Sequence, residues 1–153
     1  MRRAYFYSLL ALCLLFMSLL LPALEAKVLG ASATFSGWFT VLFGLRGAWE
    51  SMQSWLGGGD KASWKFLLAA FGAGFNLTFF VAPFVLRNVE SSRLRLIVTG
   101  TCSGTGFLLG VLVYLAFADM KIVPQPGYYL WLLAYVVNVY AVSLAVYESL
   151  RGD

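Results

Sequence analysis

The chain has 153 residues, of which 61% are hydrophobic and only 12% charged, with a formal charge of +4 and no histidine. A water-exposed domain carries roughly 25% charged residues, so this composition describes an integral membrane protein with no room for a separate soluble domain. The basic residues form no run, which excludes nucleic-acid binding, and the missing imidazole removes the commonest metal ligand and general base.

Met1-Arg2-Arg3 leads into an apolar run, and the first span is expected at about 4–24. That length suits a membrane helix better than a signal-peptide core, and Leu24 is too large for the −3 position of a cut after Ala26. The outer-face segment at about 30–61 holds Trp38, Trp49 and Trp55, and Trp64 follows it. Val41, Leu45, Ala48, Trp49, Met52, Trp55 and Leu56 recur at helical spacing with Arg46, Glu50 and Gln53 between them, predicting an amphipathic helix in the lipid interface. Gly57-Gly58-Gly59-Asp60 ends it.

Further spans are predicted at about 64–86, 96–118 and 128–147. Charged residues around 87–95 and two prolines at 124 and 126 mark the connectors. The fold class is thus an all-α membrane protein, a single four-helix bundle with one interfacial helix. An even number of spans puts both termini on one side. Arg2, Arg3, Arg87, Arg93, Arg95 and Arg151 then mark the cytoplasmic face. The tryptophans, including Trp131, fall at the opposite interface.

Helices in a bilayer associate through small residues and buried polar groups rather than through a hydrophobic drive. On the third span Thr99, Ser103, Gly106 and Gly110 form one small stripe, with Gly100 and Gly104 beside it. Ala134, Asn138, Ala141 and Ala145 repeat the pattern on the fourth, and Ala69, Gly72, Asn76 and Pro83 share a face of the second. Counted from the charged ends at about 1.5 Å per residue, Asn76, Ser103 and Asn138 fall near mid-membrane. They are expected to face the interior, the asparagines bonding to each other or to Ser103 and Thr99. Interhelical attachment is one role for them and a polar ligand site the other.

No Asp, Glu, Lys or Arg lies in the middle of a span, which argues against ion-coupled transport. Cys13 and Cys102 sit in apolar segments without a CxxC neighbour, as small hydrophobes do. No nucleophile–base pair, metal set or cofactor motif presents itself. The expected role is non-enzymatic: an accessory or scaffold subunit that contacts membrane lipid and packs against other membrane subunits or itself. A small oligomeric pore or carrier of neutral or lipid-like molecules is the alternative.

Two resemblances add to this reading. The long first outer loop, with Trp38, Gly44-Leu45 and Trp49, resembles the claudin-like tetraspan group, although that group's paired loop cysteines are missing. Leu21-Pro22, Gly37-Trp38 and the stretch from Pro126 to Leu132 resemble a family of small, uncharacterised bacterial four-helix inner-membrane proteins. The second resemblance implies a bacterial inner membrane and supplies no activity.

Overall fold

The computed structural model describes residues 2–28, 31–56, 64–87, 93–117 and 122–151. The glycine triplet at 57–59, the charged turn at 88–92 and the start of the second turn at 119–121 lie outside the described residues. Helix α1 (Arg2–Leu20) is followed by strands β1 (Pro22–Val28) and β2 (Ala31–Ser36) and by helix α2 (Gly37–Leu56). Helices α3 (Trp64–Gly74), α4 (Leu77–Arg87) and α5 (Arg93–Phe117), strand β3 (Ile122–Pro124) and helix α6 (Pro126–Arg151) complete the chain. Among the described residues, four helical stretches are long and apolar enough to cross a membrane: Arg3–Leu20, Leu67–Arg87, Arg93–Phe117 and Pro126–Leu150.

The four stretches form a bundle in which α1 packs most extensively on α6, α6 on α5, and α5 on α3 and α4. The α1–α6 seam is made of small residues. Ala4, Ser8, Ala11, Leu15 and Ser18 of α1 are all buried, as are Ala134, Asn138, Ala141 and Ala145 of α6. Two apolar clusters stack along it. Ala4, Leu86, Leu96, Ala141, Val142 and Ala145 fill the end that carries the chain termini. Ala11, Leu15, Phe79, Ala134 and Tyr135 lie above them. Serine and threonine hydroxyls on the helices donate back to carbonyls of the preceding turn, as Ser18 does to Leu15 at 2.6 Å and Thr99 to Arg95 at 2.8 Å. These groups enter an apolar environment already satisfied.

An all-helical chain is corrected at the other end. β1 lies between β2 and β3 in a three-stranded antiparallel sheet. Pro22 cannot continue α1 and forces Leu21 away from helical geometry, and the alternating apolar and polar residues of 31–36 suit a pleated strand. The carbonyls around the end of α1 find donors in this layer: Leu21 O accepts from Gly37 N at 3.0 Å and Ala23 O from Gln125 N at 2.8 Å. Glu25 accepts a hydrogen bond from Gln125 Nε2 at 2.9 Å, tying β1 to the start of α6.

Helix α2 begins earlier than its apolar periodicity indicates. Ser36 precedes its first turn, with Phe39 N at 3.4 Å from the Ser36 hydroxyl, the position of an N-cap. The face turned to the protein is not the large-residue face. Gly37, Gly44, Ala48 and Ser51 are buried, which lets the backbone of α2 approach α3. Trp38, Leu42, Leu45, Trp49, Met52, Trp55 and Leu56 point outward. An exposed Arg46–Glu50 pair at 2.8 Å marks the polar flank.

Candidate functional site

The second candidate span, Leu67–Arg87, is not one continuous helix. Phe75 and Asn76 form a turn between α3 and α4, in a stretch rich in glycine with a poor helix former after it. There the backbone tightens to three-residue bonds, Asn76 N to Ala73 O at 3.1 Å and Thr78 N to Phe75 O at 3.0 Å. Pro83, by contrast, lies inside the continuous helix α4. The consequence is a change of neighbours. α4 packs on α1, whereas α3 packs on α5 and α2.

The turn makes the Asn76 side chain a receptor for α6. Its Oδ1 accepts from Trp131 Nε1 at 2.7 Å and from the Tyr135 hydroxyl at 3.0 Å. The same hydroxyl lies 3.5 Å from Gly72 O, a carbonyl that the tightened turn has released from its usual partner, Asn76 N. Tyr135 is fully buried, with its ring 4.6 Å from that of Phe79. Trp131 was expected at the interface with the other tryptophans. Its indole N–H points into the bundle, where a part-buried donor needs an acceptor and Asn76 supplies one. Trp38, Trp49, Trp55 and Trp64 remain exposed.

Asn138 belongs to a different set. Its Nδ2 donates to Ser103 Oγ at 2.9 Å, and the Ser103 hydroxyl donates on to Thr99 O at 2.9 Å. The two asparagines therefore do not bond to each other. Tyr135 joins their surroundings, since its ring lies against Gly106, one turn along α5 from Ser103. Gly110 accepts Leu132 and Trp131 in the same way and its carbonyl accepts from the Tyr128 hydroxyl at 2.6 Å. Gly100 faces Val142, whereas Gly104 has open space around it. The two glycines of the GxxxG pair thus share no common neighbour. The sequence reading missed Tyr135 and the small stripe of α1, although the spacing of Ala4, Ser8, Ala11, Leu15 and Ser18 signals the stripe.

The groups gathered here are amides, an indole N–H, a phenol and hydroxyls. They can bind a neutral molecule through hydrogen bonds. Among the described residues no three of His, Cys, Asp and Glu come together to hold a metal ion. Replacing Asn76 by leucine strips Trp131 and Tyr135 of their acceptor. The expected loss is about 1–2 kcal/mol, near the upper end for interhelical bonds in membranes. A thermal melt in mild detergent checks it, and an unchanged midpoint would remove Asn76 from the forces that hold the bundle together.

No protein-family model matches the chain, and no curated protein or solved structure shows a detectable match to it.

Proposed function

We propose that the protein is a non-enzymatic accessory or scaffold subunit of a bacterial inner membrane, with both termini in the cytoplasm. The observation that carries this reading is the division between a closed interior and an apolar exterior on α2. Inside, glycines of α5 meet the rings and side chains of α6 directly. Outside, α2 turns its large apolar residues away from the bundle, offering a surface to lipid and to neighbouring subunits. Arg3, Arg87, Arg93 and Arg95 fall toward the end that holds both termini, which supports the cytoplasmic assignment. The bacterial assignment rests on the family resemblance.

A second reading, an oligomeric pore or carrier of neutral or lipid-like molecules, is favoured by the break at Phe75–Asn76. Discontinuous spans line substrate sites in transporters, and the Asn76 amide nitrogen donates to no described residue. Gentle-detergent extraction from native membranes followed by native mass spectrometry separates the readings. Recovery within one defined larger complex is the expected result. A homo-oligomer carrying lipid and nothing else would overturn the subunit reading in favour of the carrier.

A further inference from the structure

We propose that the bundle holds a water molecule at mid-depth, bound by the Asn138 amide and by the Phe79 carbonyl. Asn138 is fully buried, and its Oδ1 has no hydrogen-bond partner. Ser103 offers a single hydroxyl, so it satisfies one end of the amide whichever way the amide is turned. The other end faces an interior where an unpaired polar group is costly.

The neighbours of that free end follow from the two apolar clusters. Ala4, Ala141 and Leu86 belong to one cluster, and Ala11, Ala134 and Phe79 to the next. Ser8, Asn138 and the Ala82–Pro83 pair therefore fall in the layer between them, together with Ser103, which bonds to Asn138. Ser8, Ala82 and Ser103 are fully buried. A helical carbonyl points toward the residue four places on, so the Phe79 carbonyl points toward Pro83, which has no N–H to give it. One layer thus contains an amide end with no hydrogen-bond partner and a main-chain carbonyl without its usual helical donor.

The small buried side chains of this layer, Ser8, Ala82 and Ser103, leave little bulk there, and none of them is a carboxylate. A neutral molecule of the smallest size fits that description. Water donates two hydrogen bonds and accepts others, so it serves the carbonyl and either end of the amide. The Ser8 hydroxyl donates to Tyr5 O at 2.8 Å and keeps lone pairs that can accept from the same water.

Solution or solid-state NMR of the full chain in lipid nanodiscs tests this, with asparagine labelled and the Asn138 side-chain amide assigned. The expected result is a cross-peak between its Nδ2 protons and a long-lived water. A folded protein in which that amide shows no water contact would overturn the proposal. Pro83→Ala, which favours the helix, gives Phe79 an N–H partner. It is expected to reduce the cross-peak by at least half, and an unchanged peak would remove the Phe79 carbonyl from the site.

Discussion

Gly37→Ala is expected to cost the protein about 3 kcal/mol or more, with a fall in melting midpoint on the order of 10 °C. A Cβ at this position would run into the Ser18 carbonyl oxygen and would lie 2.9 Å from Leu19 Cα and 3.0 Å from the Ser18 carbonyl carbon. All three obstacles are main-chain atoms of α1, so no side-chain rotation relieves them. Gly127 presses on the same helix end from the opposite partner. Its Cβ would meet Pro22 O at 2.7 Å, Leu21 O at 2.9 Å and Ser18 O at 3.0 Å, and Gly127→Ala should behave like Gly37→Ala. Together the two glycines form a collar around the end of α1, where the bundle passes into the sheet. Gly44→Ala is the control on the same helix as Gly37, since its Cβ would sit 3.5 Å from Ala69 Cβ, an ordinary contact. Midpoints of detergent-solubilised variants decide the matter. Equal behaviour of Gly37→Ala and Gly44→Ala would mean that the close approach of α2 to α1 is not made.

The second large effect is expected at Gly106. Its Cβ would fall into the Tyr135 ring, 2.6 Å from Cζ and 2.8 Å from the hydroxyl oxygen. Tyr135 has nowhere to retreat, because it is fully buried with its ring against Phe79 and its hydroxyl on Asn76. Gly106→Ala should therefore cost about 2–3 kcal/mol through overpacking and should loosen the bond to Asn76. Gly104→Ala lies two residues away with nothing within 4 Å. It should be neutral or stabilising by up to about 1 kcal/mol, the helix preference of alanine over glycine. Combining Gly106→Ala with Tyr135→Leu should cost less than the sum of the two single changes, because both act on one contact. Strict additivity would argue that Gly106 and Tyr135 do not touch.

These variants also separate what is written in residue patterns from what is not. The four apolar stretches are legible because lipid-facing and lipid-buried residues are both apolar, and length alone then marks a span. The stripes of α5 and α6 are legible because a helix repeats every 3.6 residues, so small side chains on one face mark where another backbone can approach. The same rule applied to α2 picks out the face that meets the protein. Its small residues at 37, 44, 48 and 51 meet the protein, while the large apolar residues that dominate its periodicity turn outward.

The chain by itself determined its mostly helical character, the number of candidate spans and the residues able to let helices come close, since these depend on composition and local periodicity. Tertiary structure alone decided which groups meet. The third strand joins the sheet through pairing between β1 and β3, separated by most of the chain, with Glu25 opposite Val123, and no local pattern specifies that pairing. The break at Asn76 is completed by Trp131 and Tyr135 of α6. The division of partners, Ser103 for Asn138 and two aromatics for Asn76, depends on how the helices are rotated against one another. Hydrogen bonds between spans require donor and acceptor within about 3 Å, a condition that sequence spacing on a single helix cannot impose.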